Sequence, residues 1–466
     1  MAVNDKDPTE AIQLVEQTIG TFNQIVVGKE GQMVPVPGYP DQPTLAERVK
    51  QHLKPSTDAA AGFATQAAAS AKEADDSAKL ASQISGLETV ADAIGLAALP
   101  MPDVWAPLSD SLRLFVGNGR EVKVWDDVVA RYVNYSRSTA ATYTDKNNDT
   151  KAATINEPRF ERNGLLIDGQ SSNLIPWSRG ADYSKNPSYF LSSASAVTNG
   201  DALVVTVTAQ NGGVGGVLSG THEGKTTTVS LWAKGAVGGE RLRVGLSTDQ
   251  LAMPFDVVLT TEWVRYSKTY SIGASDTQQT GIRIYAQSPC TFSIDKVQCE
   301  ELPFATSYIP TNGAAVARSA DLATLPQSLN LGESQLGFSL AVEFDSVNTG
   351  SFRVLELSDF SAIIADGASL TVRHAGKELY GINAPLGQRH HLAYSVGADG
   401  TITAALNGKL LNPLVKSGGI VSSQTSITLG NRWTGAKDRA LYGHLRDLKI
   451  WTKKPLTADQ LKVASA

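Results

Sequence analysis

The sequence predicts a mainly β protein: two tandem antiparallel β-sandwiches, preceded by an N-terminal arm and an Ala-rich coiled-coil helix. Three observations predict it. From residue 160 onward, short runs of alternating apolar and polar residues recur at roughly 8–12-residue intervals, the pattern of half-buried strands in a sandwich. Between residues 44 and 90 the texture is instead Ala, Ser, Lys, Glu and Asp, with small residues at heptad spacing. The 41 glycines among 466 residues supply the turns that such a strand-rich chain needs.

Residues 1–43 read as an arm. Ile12, Val15, Ile19 and Phe22 make one stripe on a short helix, Thr9 to Phe22, and GKEGQMVPVPGYPDQP follows as an extended or docked loop. Residues 44–94 read as a helical stalk. Ala60, Phe63, Ala67, Ser70, Ala74, Ser77, Ala81 and Ile84 follow a 3-4 spacing. That seam is small and weakly apolar, so one copy alone is marginal in water and close packing of several copies is the natural way to stabilise it. A single helix lying on another domain is the alternative. At ~1.5 Å per residue the segment spans about 70 Å.

Residues 95–159 contain Pro100, Pro102 and Pro107 and then the strand candidates LRLFVG, EVKVWDDV and ARYVNY, a small β connector. Tyr143 to Thr154, with Asp145, Asn147, Asn148 and Asp149 at its centre, has the composition of a hairpin. Residues 160–312 form the first sandwich, with ALVVTVTA, TTTVSLWAKG, RLRVGLS, TEWVRYSKTYSI, GIRIYAQ and TFSIDKVQ as strands. Residues 313–335 are expected as a small, flexible linker, and 336–466 as the second sandwich, through GFSLAVEF, RVLELS, SLTVRH, HHLAYSVG, TITAALNG, SITLGN and HLRDLKIWT.

Composition narrows the function classes. A net charge of -5 gives no basic face of the kind nucleic-acid binding needs. No apolar run approaches the ~20 residues of a membrane helix, and MAVNDKDPTE lacks the pattern of a secretory signal, so neither membrane insertion nor export is expected. Cys290 and Cys299 fall in one strand candidate, which separates them by nearly 30 Å, too far for a disulfide. They read as free thiols of a protein assembled in a reducing cytoplasm.

Three segments carry a family resemblance. Pro158-Arg159-Phe160, Gly164-Leu165-Leu166-Ile167-Asp168-Gly169 and Ser172-Asn173-Leu174 resemble a module recurrent in bacteriophage tail-fibre and receptor-binding proteins, with Asp and Ser where Glu and Thr are usual. VSLWAKG, EWVRYS and FSIDKVQCEELPFATSYIPT resemble strands of jelly-roll carbohydrate-binding modules. The tail, from SITLGN through GHLRDLKIWT to the helix candidate Leu456 to Leu461, resembles laminin-G or concanavalin-like sandwiches. The resemblance implies a homotrimeric virion fibre, docked to other phage tail or virion proteins through residues 1–43 and binding host cell-surface polysaccharide through its sandwiches. A structural adaptor or decoration protein without glycan binding is the alternative reading, and a glycan depolymerase the third.

The residues offer little for catalysis. Glu343 and Asp345 share a strand face, but Asn348 stands where an E-x-D-x-x-E glycosidase pattern needs its second glutamate. Glu300 and Glu301 point to opposite faces, as do His390 and His391, which therefore cannot chelate a metal from one strand. Asp359, Asp366 and Asn383 are possible Ca²⁺ donors that no spacing singles out, so no cofactor or metal is expected. Sugar binding needs aromatic faces for pyranose rings and planar polar groups for hydroxyls. Trp433, with Arg432, Asn431 and Asp438, lies in a charged Gly-rich loop and is the preferred contact set. Trp177, with Arg179 and Tyr183, is its counterpart in the first sandwich. Trp232 and Trp263 alternate with apolar neighbours and are expected in the core, and Trp451 under the C-terminal helix.

Overall fold

Alternation along the sequence becomes two-layer packing in the structure, a computed structural model that describes residues 8–94, 99–218, 222–247, 256–272, 281–331, 337–357, 361–374, 377–412, 426–432, 439–452 and 455–466. The chain divides into two units, Met1–Ala98 and Leu99–Ala466.

In the first unit a helix, Pro8–Val27, precedes a hairpin of Met33–Val36 and Tyr39–Pro43. Its turn needs positive φ at Gly38 (78°), which glycine adopts without strain. Thr44 caps the next helical segment: its hydroxyl donates to the Lys29 carbonyl at 2.9 Å and accepts the Glu47 amide at 3.2 Å. After a short π-helical turn, Val49–Leu53, one helix runs from Lys54 to Ile94, 41 residues or ~60 Å. Ala60, Phe63, Ala67, Ser70, Ala74 and Ser77 are all exposed on the single chain, as are Ile12, Val15, Ile19 and Phe22. The side chains of Ala81 and Ile84 lie outside the described residues.

The second unit holds both sandwiches. One packs the sheet Phe190–Ser192, Gly213–Val217, Gly281–Ala286, Arg241–Ser247 and Asp256–Val258 on the sheet Ala194–Asn199, Ala202–Val207, Cys290–Glu300, Thr226–Gly235 and Val264–Ser271. Val205, Leu231, Ile284, Phe292 and Ile294 fill the space between them. Cys290 and Cys299 are free at the two ends of one strand. The other sandwich packs an eight-stranded on a seven-stranded sheet around Leu340, Phe352, Val354, Tyr394 and Ile450. The C-terminal helix Ala458–Ala464 opens with a capping box, Thr457 with Gln460, and Trp451 packs with Leu456 and Leu461 as expected.

The connection between the sandwiches differs from simple succession. Strands from outside residues 336–466 complete the second sandwich: Val104–Ala106, read as connector, and Gly164–Ile167, read as part of the first sandwich, pair with Gly443–Trp451, and Asn134–Ser136, also read as connector, pairs with Leu322–Pro326. The first sandwich thus leaves from one sheet of the second and returns to the other. Its outgoing and returning chains pair as a neck, Ser171↔Arg318 to Asn173↔Val316. Residues 313–331, expected as a flexible linker, instead carry the strands Val316–Arg318 and Leu322–Pro326 and the short helix Gln327–Asn330; residues 332–335 lie outside the described residues.

A buried ionic network fixes the neck. Asp321 accepts from Arg137 at 3.1 Å and from Arg159, and takes the Asp168 amide at 2.8 Å. Asp168 in turn lies 3.0 Å from Arg159 and 3.3 Å from Arg318. Burial pushes the Asp168 carboxyl up, but Arg318 and Arg159 outweigh it and hold the group below the usual carboxylate range. Glu300 accepts from Ser171 at 2.6 Å, Gln298 at 2.7 Å and the Thr306 amide at 3.0 Å. The PRF…GLLIDG…SSNL motif thus holds the neck together: Arg159, Asp168 and Asn173 are all buried there.

Candidate glycan-binding cleft

The strand Thr226–Gly235 has two faces of opposite chemistry. Val229, Leu231 and Ala233 point into the core, so Trp232 and Lys234 point out. On the neighbouring strand Phe292 and Ile294 are buried, whereas Ser293 and Asp295 face outward beside them. On the next strand Leu203 and Val205 are buried, and Ala202 and Val204 join the outer face. Trp263 stands just before the edge strand Val264–Ser271 and is 37% exposed. These side chains floor a cleft of about 440 Å³, closed on one side by the hairpin tip Asn148, Asp149 and Thr150. The sheet has five strands, so at ~4.8 Å per spacing the face is roughly 19 Å across.

This placement corrects the expectation for Trp232 and Trp263. Neither belongs to the hydrophobic core among the described residues. The signal was present in the sequence as parity: Trp232 alternates in step with Ser230 and Lys234 and out of step with Leu231. Ser230, on the same face, is nonetheless buried, its hydroxyl accepting from Arg265 at 3.0 Å.

A β-bulge completes the site. Ser230 pairs with Gln298 but Trp232 pairs with Asp295, so two residues, Lys296 and Val297, oppose one. Lys296 takes φ 50°, a left-handed conformation uncommon outside glycine. The bulge swings its ammonium to 5.1 Å from the centre of the Trp232 ring, where Nζ also donates to the Thr150 hydroxyl at 2.9 Å. Lys234 lies 5.2 Å from the centre of the Trp263 ring. Among the acids, Asp201 pairs with Arg179, Asp149 pairs with Lys151 at 3.2 Å, and Asp295 accepts the Gly180 amide at 2.9 Å. Burial raises the Asp295 carboxyl above its ordinary value. Gly180 allows this close approach, since a Cβ there would lie 2.3 Å from the Ile294 carbonyl oxygen.

A smaller cavity of about 170 Å³ shares Thr150 and Trp232 with the cleft and runs into the junction of the two sandwiches. His444 stands in it, 2.8 Å from Asp345 and 3.1 Å from Glu161. Burial lowers its pKa, but the two carboxylates outweigh burial and raise the imidazole to about 9. Asp345 is thereby tied to His444, while Glu343 faces Arg389 at 3.9 Å and His391 at 3.8 Å. Glu300 is in the neck network, and Glu301 lies 3.3 Å from His222 and 3.4 Å from Lys225. No group of three His, Cys, Asp or Glu is arranged to hold a metal among the described residues.

The loop residues singled out from the sequence fare unequally. Trp433 and Asp438 lie outside the described residues. Asn431 is buried and accepts the Arg432 amide at 2.8 Å, so it offers no surface to a ligand. Tyr183 is 1% exposed, packed edge-on to Tyr189 in the first core, because apolar residues surround its short 3₁₀ helix. It is a core residue and not a contact. Trp177 is half-buried, with Lys185 4.7 Å from its ring centre and Gly313 against its edge. Arg179 is exposed and reaches the cleft wall through Asp201. Trp125, not singled out from the sequence, is 93% exposed at φ 62° on the tip of the hairpin Arg120–Val124 and Asp127–Tyr132.

No family model and no curated protein matches this chain. Solved structures do. A heptameric SAP-like pentraxin from Limulus polyphemus matches 28% of this chain and 70% of its own, at 18% identity and TM-score 0.24. Domain 4 of an arabinanase from Geobacillus stearothermophilus, solved with arabinotriose, matches 35% of this chain and 82% of its own, at 18% identity and TM-score 0.26. The second N-terminal cellulose-binding domain of a β-1,4-glucanase from Cellulomonas fimi matches 29% of this chain and 97% of its own, at 15% identity and TM-score 0.23. Such partial matches describe at most a shared kind of β architecture.

Proposed function

We propose that this chain is a non-enzymatic fibre or receptor-binding protein of a bacteriophage virion, and that it binds host surface polysaccharide in the Trp232–Trp263 cleft. One observation carries the binding reading: two tryptophans on the solvent side of a sandwich sheet, in a trough edged by Asn, Asp, Ser, Thr and Lys. Pyranose rings stack on such faces while their hydroxyls bond to such rims. The virion assignment is supported by the sequence resemblance of residues 136–175. Trimerisation is supported by the 41-residue helix, whose small, weakly apolar seam makes one copy marginal in water. Three parallel copies place three clefts on one particle spike, and weak single-site binding then sums to useful avidity. Residues 1–43 are assigned the docking to other virion proteins.

Adsorption of the full-length chain to host cells and to their isolated polysaccharide tests this. Binding by the wild type and its loss in Trp263→Ala are expected. Retention in both would move the contact elsewhere, and absence of binding by the wild type would favour the adaptor reading. Release of reducing ends from the polysaccharide would contradict the non-enzymatic assignment.

A further inference from the structure

The charges of the cleft are divided unevenly. Its three carboxylates are already engaged: Asp201 by Arg179, Asp149 by Lys151 and Asp295 by the Gly180 amide. Its two ammonium groups, on Lys234 and Lys296, have no carboxylate within ion-pair distance among the described residues. Instead each lies over an indole face, a contact that orients the cation; Asp295 acts on Lys296 through space but forms no ion pair with it. Lys296 is placed there by a bulge with an uncommon backbone conformation and is anchored by Thr150. Each cation is thus paired with a tryptophan on the cleft floor.

From this we infer that the ligand of the cleft is an anionic glycan, whose rings stack on Trp232 and Trp263 while its acidic substituents pair with Lys296 and Lys234. The inference rests on the glycan-binding reading above and adds the substrate class. A neutral sugar makes poor use of the site, because it offers no ion-pair partner to either ammonium group as the cleft loses water. An acidic repeat supplies that counter-charge on the residue next to the stacked ring. Carboxylate and sulfate substituents share this chemistry.

Isothermal titration of the full-length protein with a polyuronate, a sulfated dextran and an uncharged dextran tests the inference. The expected result is binding to an anionic polymer at least ~10-fold tighter than to the uncharged one, as charge-assisted contacts provide. Raising the salt from about 0.05 M to about 0.5 M should weaken it several-fold. Lys234→Gln with Lys296→Gln should abolish the preference with an unchanged melting temperature, and Lys296→Arg should retain it. Binding to the polyuronate alone assigns the charge to carboxylate, and binding to the sulfated polymer alone assigns it to sulfate. Equal binding to charged and uncharged polymers, indifferent to salt and to the lysine variants, would overturn the anionic assignment and leave glycan binding standing. Binding to none of them, nor to host polysaccharide, would overturn both.

Discussion

Trp232 and Trp263 lie on the outer face of their sheet, outside the hydrophobic core, where the proposed role is to stack on glycan rings. Covering a large apolar side chain contributes about 1.5–3 kcal/mol, so Trp263→Ala should weaken glycan binding by roughly tenfold or more. The melting temperature should hardly move, since truncation of an exposed side chain is usually within ~0.5 kcal/mol. His444 makes a different residue-scale prediction. Its pKa is about 9 in the folded chain, against ~6.5 when unfolded. A raised histidine contributes stability that is fully present below pH ~6.5 and fades as pH rises through about 9. Melting measured from pH 6 to pH 10 should therefore fall across that window, and His444→Gln should flatten the fall. A wild-type curve flat between those limits would show the Asp345–His444–Glu161 bridge to be energetically silent.

At the scale of elements, the strand Thr226–Gly235, the bulged strand Cys290–Glu300 and the hairpin 141–153 build the cleft, and the neck holds it against the second sandwich. Breaking a buried ion pair by removing one partner typically costs about 3–5 kcal/mol, because the other charge is left uncompensated. Asp321→Ala strands Arg137 and leaves Arg159 with Asp168 alone, and should fall within that range, read as a drop in the urea midpoint. A change below ~1 kcal/mol would mean that the surrounding hydroxyls and carbonyls satisfy the guanidinium groups unaided. Much of this architecture was legible in the sequence. Period-two alternation identified the strands, Asp145 to Asp149 identified the hairpin, and Leu456 to Leu461 placed the last helix over Trp451. The neck was not legible, since Arg318 and Asp321 lie among small residues that read as linker. Their partners Arg159 and Asp168 are some 150 residues away. The cleft was only half legible. Parity exposes Trp232, but the bulge that aims Lys296 arises from strand pairing and leaves no local mark.

For the whole molecule, the proposed trimer and the proposed binding make linked predictions. A 41-residue helix with small residues along its described seam is marginal alone, and association with two further copies is the proposed way to cover that seam. Sedimentation of the full-length chain at micromolar concentration should give a trimer. Dissociating it should weaken adsorption to a polyvalent surface by about 10²-fold or more while leaving single-site affinity unchanged. A monomer under those conditions would remove the fibre from the account and leave the cleft untouched.

The outer face of the first sandwich is proposed to bind glycan through Trp232 and Trp263. Titration of host polysaccharide into the wild type and into the Trp232→Ala, Trp263→Ala double variant tests it most directly. Saturable binding by the wild type and none by the double variant is expected, with the fold intact by circular dichroism. Equal binding by the two proteins would contradict it.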